Sequence, residues 1–129
     1  MFTIDQIKEA HSKVKSGADF PAYIQDLIAL GVQGYDTFVN DGHVEYFGSN
    51  NFRAAATDTY DNIAVAPSAN KERFIEFLVM HQGGQTVYLT FCHHAAQCGI
   101  AKWSVNILEM TCTYFDQLGS AIVIEKISM

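Results

Sequence analysis

Residues 20–47 read FPAYIQDLIALGVQGYDTFVNDGHVEYF, and residues 88–115 read YLTFCHHAAQCGIAKWSVNILEMTCTYF. Laid over each other without a gap, at an offset of 68, Gly31 falls on Gly99, Val32 on Ile100, Tyr35 on Trp103 and Val39 on Ile107. Asp41 falls on Glu109, Tyr46 on Tyr114 and Phe47 on Phe115. Three of these pairs are identities, and the order of features says more than the identities do. Each stretch runs from an apolar helical stripe to a glycine stop, then into alternating strand residues that end in Tyr-Phe. Self-similarity at a fixed offset is the mark of a repeated supersecondary unit. It predicts an internal duplication, with pseudo-repeats over residues 1–66 and 67–129 inside a single domain.

Outward from that stretch, local signals supply the elements. Thr3 to Gln6 forms a capping box ahead of Ile4, Ile7, Ala10 and Val14 at helical spacing, predicting a helix over 4–15 stopped at Ser16-Gly17. Asp19 and Pro21 open a second helix with the stripe Phe20, Tyr23, Ile24, Leu27, Ile28, closed by Gly31. From Val32 the period becomes two, and strands over 32–39 and 43–47 flank Asn40-Asp41-Gly42, a hairpin turn whose Gly supplies a positive φ. Residues 52–66 read as a third strand or a loop. Ser68 is expected to cap a third helix over 71–82, ended by Gly83-Gly84, and a fourth follows over 86–98. Ala101, Trp103, Val105 and Ile107 alternate with Lys102, Ser104 and Asn106 as a fourth strand, and 110–115 and 121–127 make two more. Two helices, strands, two helices, strands: the fold class is α+β, an antiparallel sheet covered by four helices. A cleft where the two units meet is the place to look for a ligand.

Composition narrows the classes of function. With 129 residues, 49% hydrophobic and 17% charged, the chain has the makings of a packed core. Eight Lys and Arg against fourteen Asp and Glu leave a net charge of −6. Binding to nucleic acid starts from phosphate neutralisation, so no nucleic-acid partner is expected. The N-terminal ten residues form an amphipathic helix start without an apolar signal core, and no apolar run approaches a bilayer span. Three cysteines, an odd number, fit a reducing cytoplasm better than a disulfide scaffold.

The densest cluster of reactive side chains is Cys92-His93-His94 with Cys98. His94 and Cys98 are one helical turn apart and could share a Zn²⁺, with His81 and Cys112 completing the set. The chain has no CxxC or HExxH, so the ordinary reading is small buried thiols beside rim histidines, and no cofactor is expected. A Cys–His nucleophile pair is a second option, but no oxyanion hole can be identified beside it. Asp36 with Glu45, and Asp58 with Asp61 around Tyr60, are the carboxylate candidates, and solvated strand faces account for them equally well. Tyr35, Tyr46, Trp103 and Tyr114 hold matched places in the two units, as shared core or as the lining of a pocket. The ligand-binding candidates are therefore His81, His93, His94, Cys98, Tyr35 and Trp103.

The blocks VQGYDTFVNDGHVEYFG (32–48), HQGGQTVYLTFCHHAAQCGIAKW (81–103) and MTCTYFDQLG (110–119) resemble the YdfO-like family. These are small bacterial and prophage proteins often labelled "phage envelope protein". The resemblance implies a compact α+β domain with a phage or prophage ancestry, and it carries no catalytic residue across. The leading expectation is a non-enzymatic accessory protein whose acidic surface binds another protein. The alternatives are a small-molecule or metal-binding protein, enzymatic or not, with a cleft near the fourth helix, and a structural virion component. A homodimer is compatible with each.

Overall fold

The computed structural model describes residues 2–15, 17–56, 60 and 62–127. Its elements are α1 (Ile4–His11), α2 (Phe20–Leu30), β1 (Val32–Phe38), β2 (Val44–Gly48), β3 (Arg53–Ala56), α3 (Lys71–Gln82), α4 (Tyr88–Gln97), β4 (Ile100–Asn106), β5 (Thr111–Asp116) and β6 (Ala121–Lys126). The class is α+β, as expected. Among the described residues no helix is long and apolar enough to cross a membrane.

Capping chemistry sets most helix ends where the sequence placed them. The Thr3 Oγ1 accepts from the Gln6 amide at 3.2 Å, and the Gln6 side chain accepts from the Thr3 amide at 2.8 Å. Gly31 closes α2 with φ +91°, a conformation that costs a residue with a Cβ. Three ends differ from expectation. α1 stops at His11, because Ser12 turns its hydroxyl back onto the Glu9 carbonyl at 2.6 Å and the chain continues in tight turns. α3 is capped by Asn70, whose side-chain oxygen accepts from the Arg73 amide at 3.1 Å, and Ser68 lies upstream of the cap. α4 begins at Tyr88, two residues later than the pattern suggested.

One six-stranded antiparallel sheet unites both halves, in the order β3-β2-β1-β4-β5-β6. Each half contributes a three-stranded meander, and β1 and β4 meet at the centre. Within the first half the register pairs Val32 with Gly48, Gly34 with Phe47, Tyr35 with Tyr46, Asp36 with Glu45 and Thr37 with Val44. Shifted by 68, every pair returns in the second half: Ile100 with Asp116, Lys102 with Phe115, Trp103 with Tyr114, Ser104 with Thr113 and Val105 with Cys112. The register irregularity after the first pair also recurs, at Val32/Gly34 and at Ile100/Lys102. Across the centre Asp36 faces Ser104, its own counterpart at that offset, and the Ser104 hydroxyl donates to the Asp36 carboxylate.

Side chains alternate between the faces of this sheet. One face carries Tyr35, Thr37, Val44, Tyr46, Trp103, Val105, Cys112 and Tyr114, all buried. Helical rings pack on it: Tyr23 of α2 edges onto Tyr35, Phe74 of α3 onto Tyr114, and Phe91 of α4 against Trp103. His11 of α1 lies between Tyr23 and Tyr88, at 5.2 Å from each. The opposite face carries Asp36, Phe38, Glu45, Phe47, Lys102, Ser104, Thr113 and Phe115, all half-buried.

Candidate functional site: a cavity on the aromatic face of the sheet

A cavity of about 90 Å³ lies between the helices and the aromatic face. Both halves build it. Tyr35 and Thr37 of β1, Val44 and Tyr46 of β2, Trp103 of β4, Cys112 and Tyr114 of β5 and Glu125 of β6 form its floor. His11 and Val14 close it from the first helix and the turns after it, Phe20 and Tyr23 from α2, Leu78, His81 and Gln82 from α3, and Tyr88 and Phe91 from α4. All four matched aromatics of the two units therefore face one space.

His81 is the best-defined polar group on the wall. It is 8% exposed, and its ring stacks on Phe91 with centroids 4.4 Å apart and planes 8° from parallel. Its Nδ1 lies 3.0 Å from the Thr86 carbonyl and 3.0 Å from the Thr86 hydroxyl. A carbonyl only accepts, so Nδ1 carries the proton, and the neutral ring keeps its lone pair on Nε2. Burial lowers the His81 pKa and that of His11, which holds both rings neutral at neutral pH.

Phenols dominate the remaining polarity. The hydroxyls of Tyr23 and Tyr46 are 3.3 Å apart. Burial raises the pKa of Tyr23, Tyr35, Tyr46, Tyr88 and Tyr114, so each stays protonated and can donate. Glu125 is the carboxylate of the lining, and both its oxygens are engaged: Tyr114 donates to Oε1 at 3.0 Å and Gln82 to Oε2 at 3.0 Å. No Lys or Arg lines the cavity among the described residues. The Cys112 thiol is pushed up to about 12 by burial, and as a protonated thiol it makes a poor nucleophile or metal ligand at neutral pH.

The six candidates named from the sequence separate into two groups. His81, Tyr35 and Trp103 line the cavity; His93, His94 and Cys98 do not. His93 is exposed on α4. The His94 ring stacks on Phe77 at 3.8 Å, and its Nδ1 is buried without a hydrogen-bond partner among the described residues. Burial lowers its pKa, with a further push from Arg73. Cys98 is buried at the C-terminal end of α4. Among the described residues no three His, Cys, Asp or Glu side chains converge at metal-ligand spacing. Asp36 and Glu45 stand on the face of the sheet away from the cavity, where Glu45 pairs with Arg53 at 3.0 Å. Asp58 and Asp61 lie outside the described residues.

Sequence reasoning missed His11, Tyr23, Tyr88 and Glu125 as site residues. His11 follows Ile7 by four positions, and so sits beside the apolar stripe of α1. Glu125 pairs with Cys112 across β5 and β6, and that register places it on the buried face. Neither relation to a cavity is visible before the halves are assembled.

A family model described as "Protein of unknown function (DUF1398)" matches residues 8–126. The chain belongs to the DUF1398 family. No curated protein matches it. The matched span contains every lining residue of the cavity, from His11 to Glu125. The DUF1398 description names no activity.

Proposed function

We propose that this DUF1398 protein binds a small molecule in the cavity between its helices and its sheet. The observation that carries the reading is convergence: four aromatics from equivalent positions of two units, and a buried histidine with a free lone pair, line one space. Ligand pockets are concave and largely apolar, with a few placed polar groups, and this cavity has that make-up. The repeated strand registers also support descent from one duplicated unit of two helices and three strands, with helices covering the shared face. On that view the binding site arose at the junction of the copies.

Trp103 is the sole tryptophan and lines the cavity, so its emission reports occupancy. Screening uncharged single-ring compounds by Trp103 fluorescence and thermal unfolding tests the proposal. At least one compound should shift the emission and raise Tm, and Val44→Phe, which places bulk in the cavity, should abolish both effects. A panel that moves neither observable in the native protein would remove the support for this function.

A protein-binding accessory role, with the phage ancestry that the YdfO-like resemblance implies, is the second reading. Its support is the opposite face of the sheet, where Lys102 lies over Phe38 and Phe115 and Arg53 over Phe47. Half-buried aromatics under cationic groups suit a docking surface. Pull-down at physiological salt with the native chain and with Phe38→Ser/Phe115→Ser separates the readings, since these substitutions leave the cavity walls unchanged.

A further inference from the structure

Resting on the cavity reading, we propose that the ligand is an uncharged molecule of a single ring bearing an O–H or N–H group, which it donates to Nε2 of His81.

Size sets the first limit. The cavity measures about 90 Å³, below the ~150 Å³ of an apolar cavity that takes up benzene, so one ring is the most it accepts. Charge sets the second. An anion would meet no Lys or Arg on the lining. A cation would meet the Glu125 carboxylate, whose charge the neutral donors Tyr114 and Gln82 leave in place, and its own desolvation would offset that attraction. Moving an ion out of water into an aromatic enclosure is costly for an anion, which finds no counter-charge, and for a cation beside one carboxylate, and a neutral ring avoids that cost.

Polarity sets the third limit. The Thr86 carbonyl fixes the proton of His81 on Nδ1, and so orients the ring and leaves Nε2 as an acceptor. Burial reinforces the neutral form of this imidazole. The phenols of Tyr23, Tyr35 and Tyr46 are donors, so a hydroxyl or azole ligand could accept from one of them while donating to His81.

Three probes of matched size resolve the inference: phenol, toluene and N-methylpyridinium, titrated against the native protein by Trp103 fluorescence and calorimetry. Phenol should bind roughly five- to tenfold more tightly than toluene, the margin of one hydrogen bond to a buried acceptor, and the cation should bind more weakly than either. His81→Phe should retain toluene and lose the preference for phenol. If that variant does not fold, the ¹⁵N resonance of His81 Nε2 in the native protein should move with phenol and stay in place with toluene. Toluene binding as tightly as phenol, a cation preferred over phenol, or a phenol preference surviving His81→Phe would each overturn this inference and leave the cavity reading standing. Silence from all three probes would overturn the cavity reading and this inference with it.

Discussion

Replacing Gly99 and, separately, its counterpart Gly31 by alanine tests the packing of the segment before α3 against the end of α4 with an internal control. Both glycines follow a helix and open a strand at positive φ, +77° and +91°. An alanine there pays a backbone cost of about 1 kcal/mol wherever it stands. Around Gly31 an added Cβ would meet nothing within 4 Å, so that cost is the whole effect. At Gly99 the Cβ would stand 2.3 Å from the Ser68 carbonyl oxygen, 2.6 Å from its carbon and 2.8 Å from the Ala69 Cα. All three are backbone atoms of the segment leading into α3. That segment is tied down by the Ala66 amide on the Ala96 carbonyl at 2.9 Å and the Asn70 amide on the Cys98 carbonyl at 2.8 Å. Moving it costs ~1–3 kcal/mol of overpacking strain, and losing one of the two hydrogen bonds adds about 1 kcal/mol. Gly99→Ala should therefore destabilise by about 3–5 kcal/mol against about 1 kcal/mol for Gly31→Ala. Urea unfolding followed by Trp103 emission and by circular dichroism measures both. Equal losses of stability in the two variants would show that the connecting segment does not press on Gly99, and would refute the reasoning.

Three further outcomes follow from burial and charge. Phe74 is fully buried between Phe91 and Tyr114, so Phe74→Ala should cost ~3–5 kcal/mol, while Leu118→Ala, at a site 88% exposed, should stay within about 0.5 kcal/mol in the same urea assay. Burial pushes the Cys92 thiol up to about 11 and Cys112 up to about 12, and it raises Cys98 as well. At pH 8 a thiol of pKa 11 is ionised to about one part in a thousand, so Ellman's reagent should label native protein slowly and all three cysteines promptly in denaturant. Burial lowers the pKa of His11, His81 and His94, so below about pH 6.5 the unfolded chain takes up protons that the folded chain does not. Stability should be full above that pH and fall as the pH drops towards 5. A urea midpoint that holds or rises from pH 7.5 to pH 5 would contradict the neutral assignment of these rings.

Local chemistry was legible wherever a single residue decides a conformation. Asp41-Gly42 marked the hairpin, Gly31 and Gly99 marked helix ends, and the alternation from Ala101 to Ile107 marked β4. The strand registers of the two halves match at the 68-residue offset, and a one-residue slip in either would have turned Tyr46 or Tyr114 away from the buried face. The four-residue β3 was legible only as a strand or a loop somewhere in 52–66, since Arg53 and three alanines carry little strand preference and its place comes from pairing with β2. The α3 cap was misplaced by two residues because Ser68 and Asn70 are both good caps, and only the hydrogen bonds of the connecting segment select between them. Tyr35 and Trp103, singled out by their matched positions, line the cavity. The reactive-looking pair His94 and Cys98 drew attention by chemistry alone, and their helix faces them away from the cavity. His11, Tyr23 and Glu125 come from three different elements, and no local pattern joins them.

The most direct measurement is an amide and indole map of the ¹⁵N-labelled native protein under saturating phenol. Occupancy of the cavity predicts that the Trp103 indole N–H and the Thr37 and Cys112 amides shift together, while Glu45, Ser104 and Thr113 on the other face hold still. Shifts confined to that other face, with the Trp103 indole unmoved, would contradict the account.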